Sequence, residues 1–363
     1  MNWHDHVAAL SNVARLATVA ATKGAHYGPL LLLGARGDWR TKMQSDPNYR
    51  SYGTLQFLLG KARDKFETEP KLAREITAAV LDFVDQVEGP SHIHEIGLQG
   101  LAWKEHANAC EKTGDLRAAL TAAERSVEIY GEAPSLLFQQ TRAELVICKV
   151  LRQTGDNDRA IEIARRCAGI FTDFDDRSST NMARMFEAGV LYTSKRFREA
   201  LVIFADVCER AERNGDRLTV AQCLQCAAQC ARELGDLDGA RVLYPRVVAH
   251  FDALNIPSDA NCARWGQALV LAAAGRVSNA ISELYKVRAV FLSLGMKGHA
   301  ASATLDVVRI KFEAGEDVRE ICAELVPVFT QSGLTQSAIE VLAYIRQQDK
   351  NGQVMNARVK RGT

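Results

Sequence analysis

Three thiols, Cys223, Cys226 and Cys230, stand at i, i+3 and i+7, a spacing that brings them to one side of a helix. Three thiolates can hold a metal ion or sense redox state. Zinc and iron–sulfur sites, however, place their ligands on turns, and no fourth ligand follows here. Two His-x-His pairs, His4 with His6 and His92 with His94, would share a face in a strand, but helical spacing separates them. No carboxylate or Cys completes a site around either pair. The chain has no GxxxxGK[ST] or GxGxxG phosphate loop, no nucleophile elbow around Ser and no HExxH. Gly34-Ala35-Arg36-Gly37 reads as a turn. An enzyme would have to build its site in the first 50 residues or at the Cys cluster. The residues point instead to a protein that binds, without a cofactor.

The bulk composition agrees. The chain has 363 residues, 47% apolar and 25% charged, with only eight Pro, so it is packed and helix-biased. Its net charge of +1 lacks the basic excess of a nucleic-acid binder. Nine Cys at irregular spacing fit free thiols in a reducing cytoplasm better than a disulfide framework. Asp5 and Arg15 spoil a signal-peptide reading of the first residues, and the longest aliphatic run, Leu30–Leu33, is too short to span a bilayer.

The elements that position these residues repeat. A Gly, often followed by Asp, with an Ala five residues later, recurs as Gly114/Ala119, Gly155/Ala160, Gly235/Ala240 and Gly275/Ala280. Lys195/Ala200 is a degenerate copy, and Gly315 is followed by Glu320 in place of Ala. From Gly155 the step is 40 residues. Phe171, Phe251 and Phe291, with Ala211 at the equivalent place, close the second helix of their units. Gly ends one helix in the left-handed conformation, Asp caps the next, and the Ala lets two helices cross closely. Phe197, Leu201, Phe204, Val207 and Cys208 form one apolar stripe at helical spacing.

The segments GDLRAALTAAERSVEIY, GDNDRAIEIARRCAGIF, KRFREALVIFADVCERA and GDLDGARVLYPRVVAHF resemble the second half of tetratricopeptide (TPR) repeats. The resemblance covers about residues 91–331 and is closest to the long-helix variants, since the common TPR period is 34 residues. It implies an all-α, right-handed superhelical solenoid of antiparallel helix pairs. Hairpins are expected at about 51–87, 91–130, 135–174, 177–213, 217–254, 258–294 and 298–331, with a capping helix at 335–348. Residues 1–50 read as an N-terminal cap, helical over 3–22 and irregular through Gly24, Gly28-Pro29, Gly34, Gly37 and Pro47. Residues 51–348 then form the solenoid and 349–363 a polar, disordered tail. Pro245 and Pro327 fall in helix interiors, as a bend or a hinge.

In this family the first helix of each hairpin lines a concave groove. Counting back from the landmark Ala, the resemblance assigns to it Leu101, Lys104, Asn108, Glu111 and Lys112, then Arg142, Leu145, Lys149, Arg152 and Gln153. Met182, Met185, Gly189 and Tyr192 follow, then Gln222, Gln225, Gln229 and Arg232, then Cys262, Trp265 and Leu269. Lys104 and Asn108 resemble half of a carboxylate clamp, but Met182 and Phe186 stand where its remaining basic residues would be. The groove is basic early, apolar and Met-rich in the middle, and then carries a Gln ladder suited to an extended backbone. Trp265 would be its anchor. By the same count the three thiols match Ala183, Phe186 and Val190 in one neighbouring unit and Ala263, Gly266 and Val270 in the other, which are packing residues.

The resemblance thus implies a cytoplasmic adaptor or regulator, similar to bacterial TPR proteins, that binds a protein segment acidic at one end. A ligand-responsive regulator whose superhelix changes curvature is the alternative.

Overall fold

The computed structural model describes residues 3–34, 38–331, 337 and 339–347, so the expected tail at 349–363 lies outside the described residues. Two compact units divide the chain, Met1–Lys195 and Arg196–Thr363. The first holds α1 (Trp3–Leu32), α2 (Trp39–Ser45), α3 (Tyr52–Lys65), α4 (Pro70–Leu81), α5 (His92–Lys112), α6 (Leu116–Gly131), α7 (Leu137–Thr154), α8 (Asn157–Asp173) and α9 (Arg177–Thr193). The second holds α10 (Phe197–Arg213), α11 (Arg217–Glu233), α12 (Leu237–Ala253), α13 (Pro257–Ala273), α14 (Val277–Ser293), α15 (Lys297–Glu313) and α16 (Arg319–Gln331). Among the described residues there is no strand. From α3 to α9, and again from α10 to α16, each helix packs on the next. First helices of neighbouring hairpins also touch: α3 with α5, α5 with α7, α7 with α9, and in the second unit α11 with α13. That layer carries the site.

The landmark residues do what their chemistry requires. Ala119, Ala160, Ala200, Ala240 and Ala280 are fully buried, as are Phe171, Ala211, Phe251 and Phe291. The close approach at Ala160 is direct, since the Cys148 thiol of α7 donates to its carbonyl at 3.3 Å. The helices from α8 to α15 are each 17 residues long. The turn geometry repeats every 20 residues, twice as often as the sequence punctuation. Gly155, Asp175, Lys195, Gly215, Gly235, Asn255, Gly275, Gly295 and Gly315 all have positive φ. The amide three places past the last helical residue then bonds back five residues, as from Asp236 to Ala231 at 2.9 Å and from Ile256 to Phe251 at 3.0 Å. Asp115 and Asp236 cap the amides of Ala118 and Gly239. Asp156 makes no side-chain cap, contrary to expectation, while Asp176 and Asp216 cap in the turns between hairpins.

Two local expectations are corrected. α1 runs without a break to Leu32, through Gly24, Gly28 and Pro29. Its glycines serve close packing: a Cβ on Gly24 would lie 2.3 Å from the Gly53 carbonyl oxygen of α3, and one on Gly28 would enter the Phe57 ring. At the last hairpin the phase slips by two residues. Val318 is buried where the repeat expects residue 320, and Glu320 is exposed. Pro245 and Pro327 lie on exposed faces of α12 and α16, which continue past them. Residues 339–347 are helical, with Val341 buried against the α15–α16 core.

Candidate functional site

A cleft of 690 Å³ opens in the first unit across α3, α5 and α7. The three helices share one face of the hairpin stack, so side chains a whole repeat apart meet there. Of the groove residues expected from sequence, Lys104, Asn108, Lys112, Arg142 and Lys149 all line it. Phe66, Leu101, Leu136 and Phe138 supply apolar wall, and Tyr52 and Tyr130 aromatic floor. Gly100 makes room for the Tyr130 ring, which a Cβ there would meet at 2.6 Å.

The charges are not the open basic strip that counting suggests. Glu105, 2% exposed, faces the Arg63 guanidinium at 3.1 Å and the Lys104 ammonium at 3.2 Å. It also accepts from the Asn108 side-chain amide at 3.2 Å. The half-clamp of Lys104 and Asn108 therefore already holds a carboxylate, and it is the chain's own. Burial holds the Lys104 ammonium below the usual lysine pKa even though Glu105 pulls it up. Lys112 pairs with Glu67 at 2.5 Å and Lys149 with Glu111 at 2.6 Å. Arg142 is different: exposed at the cleft, it makes no ion pair or hydrogen bond among the described residues.

Other expected residues fall outside this cleft. Leu145 is core rather than groove. Arg152 packs over Gly189, its Nη1 3.0 Å from where a Cβ would stand. Met185 and Tyr192 are half-buried on α9. In the second unit, Gln222, Gln225 and Gln229 are half-buried on one side of α11. None of the three carboxamides has a hydrogen-bond partner among the described residues. Trp265 of α13 is less free than an anchor would be. Its indole N–H donates to Asp306 of α15 at 2.8 Å, and its ring meets Phe291 edge-on at 6.0 Å.

The Cys cluster divides. Cys223 and Cys230 are fully buried and Cys226 is half-buried. Burial raises all three thiols, Cys223 and Cys226 to about 12 and Cys230 to about 11, so they are neutral near pH 7. Among the described residues no three His, Cys, Asp or Glu side chains converge as a metal site. Among the described residues one Cys–His contact exists, Cys110 Sγ to His106 Nε2 at 3.5 Å, with Thr77 Oγ1 2.9 Å from Nδ1. Cys110 is fully buried and burial raises its pKa, so this is packing chemistry and not an accessible nucleophile. His94 takes a hydrogen bond with Ser91 at 2.7 Å, and His92 lies 3.4 Å from Glu95.

Sequence counting missed Arg63, Glu105 and Tyr130. Arg63 stands 41 residues before Lys104 (63 to 104), in a hairpin whose landmark is degenerate. Tyr130 closes α6 at the place where Phe171 closes α8, a signal that was there to use.

No protein-family model and no curated relative matches the sequence. Solved structures do match in fold. A Rap protein complexed with competence and sporulation factor aligns with a TM-score of 0.60 at 12% identity, over 92% of this chain and 98% of that one. The Rap conjugation gene regulator of plasmid pLS20, in complex with the Phr* peptide, gives 0.53 at 12% identity, over 84% and 97%. A signal-transduction ATPase of Pyrococcus horikoshii with a tetratricopeptide repeat sensor gives 0.55 at 12% identity, over 87% of this chain and 53% of that one. Within each unit, stacked helix pairs with left-handed turns and a touching layer of first helices make this chain, in fold, a TPR-like all-α repeat protein.

Proposed function

We propose that this protein is a cytoplasmic regulatory adaptor, not an enzyme, whose first-helix layer takes an extended peptide segment of a partner. The observation that carries the reading is the cleft across α3, α5 and α7, with apolar walls beside the Arg142 guanidinium, which has no ion pair among the described residues. The unpartnered amides on α11 support it. Gln222 and Gln229 are seven residues apart, about 10 Å along a helix. An extended chain covers that distance in about three residues, so successive carboxamides reach successive backbone groups. Two structures of like fold are complexes, one with competence and sporulation factor and one with the Phr* peptide, which agrees with this use of the layer.

The test places a photo-crosslinking benzoylphenylalanine at Phe138, in the cleft, or at Val202, exposed on the second helix α10. In cells of the source organism, irradiation should join a discrete polypeptide to position 138 and not to position 202. Equal labelling at both sites would sink the proposal.

A further inference from the structure

We propose that the outer face of α12, α14 and α16 is the interface through which two copies of this chain associate. α14 points there first. Among its exposed residues Lys286 is the one charged side chain, and Glu283 neutralises it at 2.7 Å. Tyr285, Ala289, Val290 and Leu292 are exposed beside it. The second helix α8 shows what a solvated face looks like in the same chain, since it exposes Asp158, Arg159, Glu162, Arg165, Arg166 and Asp173. α12 carries exposed Val242, Pro245 and Ala249, and α16 exposed Ala323 and Pro327. Pro245 and Tyr285 are 40 residues apart, as are Ala249 and Ala289, so equivalent places on neighbouring second helices are uncharged together. Val242 is 62% exposed and Leu292 47%. An uncharged strip that runs across neighbouring helices marks a surface that another molecule covers.

Shape, area and charge favour a second copy as the occupant. A two-fold contact uses one surface on both sides, so that surface must carry both a projection and the recess that takes it. Tyr285 of α14 is 39% exposed. One turn before it, Ser282 lines a furrow of 540 Å³ between α12 and α14, walled by Leu237, Tyr244, Pro245 and Leu271. Pro245 has no N–H, so the Arg241 carbonyl lacks the helix donor four residues on, and both residues line the furrow. In the dimer Tyr285 of each copy enters the furrow of the other, where its ring is buried and its hydroxyl donates to that carbonyl. A 17-residue helix is about 25 Å long and three neighbouring second helices span about 30 Å, a face of about 750 Å². That is close to the ~800 Å² each partner gives to a stable complex. With its one exposed charge neutralised, α14 meets its own copy without like-charge repulsion and offers a strongly charged partner nothing to pair with. The contact uses second helices and leaves the first-helix layer free.

The experiment is sedimentation of the purified full-length protein from low micromolar to submillimolar concentration. The mass should rise to twice that of the chain. Tyr285→Lys, checked for an unchanged melting temperature, should raise the dissociation constant of the dimer about thirtyfold or more, as loss of an aromatic anchor does. Val242→Lys, at a more exposed place, should weaken the dimer in the same direction and carries the test if the first variant does not fold. Glu162→Lys, exposed on α8, should leave the dimer as it is. Benzoylphenylalanine at position 285, irradiated in a mixture of isotope-labelled and unlabelled chains, should give mixed products joined to α12 near Pro245. A protein that stays monomeric at every concentration overturns the proposal, including one whose face is covered by a different copurified partner. A dimer that both lysine variants leave intact, or a cross-link that falls away from α12, overturns it as well.

Discussion

Asn108 donates its side-chain amide to Glu105, one helical turn back on α5, at 3.2 Å, and the carboxylate it satisfies is buried beneath Lys104 and Arg63. A position that would greet a partner's carboxylate is thus tied into an internal network. Removing one member of such a network leaves charge behind. Glu105→Gln is expected to cost roughly 1–3 kcal/mol in urea unfolding, below a fully buried pair because Arg63 is largely in solvent. Lys104→Met added to Glu105→Gln should recover part of the loss, since it removes the stranded ammonium. If the double variant is as unstable as the sum of the singles, the pair is not coupled.

His106 predicts a pH dependence. Thr77 Oγ1 is within 3.1 Å of the Ala73 and Arg74 carbonyls and donates there, so His106 Nδ1–H donates to Thr77 and Nε2 faces the Cys110 thiol. Burial, with Arg74 nearby, holds His106 below the usual histidine pKa of 6.5, and Asp115 opposes only in part. The unfolded chain therefore binds the proton more readily than the folded one, and stability falls as pH drops below about 6.5. The wild type should lose more stability than His106→Gln between about pH 7 and 5.5. Parallel curves for the two proteins would show that His106 contributes nothing to the slope.

How much of this was legible in the sequence depends on range. The helices from α5 onward were readable because Gly and Ala carry the turn and the crossing within a few residues of each other. Asp175 and Asn255 hid the second set of turns, since side chains that tolerate positive φ do not punctuate as Gly does. Lys104, Asn108, Lys112, Arg142 and Lys149 could be placed in one cleft by counting. Glu105 could not, because a lone Glu beside a Lys on a helix reads as solvated. It is buried by α3 and α7, whose approach is non-local. Leu145 failed for the same reason, as its depth is set by neighbouring helices.

Lys195 holds φ at 60°, on the 20-residue step where Gly155, Gly235, Gly275 and Gly315 hold the same conformation without a Cβ. A left-handed non-Gly residue costs about 1–2 kcal/mol, partly offset by the entropy that Gly loses on folding. Lys195→Gly should therefore stabilise the protein by about 0.5–1 kcal/mol, seen as a rise in melting temperature. A drop would mean that the lysine side chain supplies more than the turn loses.

Gly53 sits where α3 meets α1 backbone to backbone, and a Cβ there would lie 1.7 Å from the Ala20 carbonyl oxygen. Nothing flexible can yield, so Gly53→Ala must push the two helices apart. α1 and α3 pack together at this crossing, whereas α3 also packs on α4 and α5. The expected result is local: faster amide exchange in α1, with protection of α5 to α9 retained. The cost at the crossing should reach about 1–3 kcal/mol, the usual range for overpacking. Uniformly increased exchange through α9 would show instead that α1 folds as one cooperative piece with the repeats.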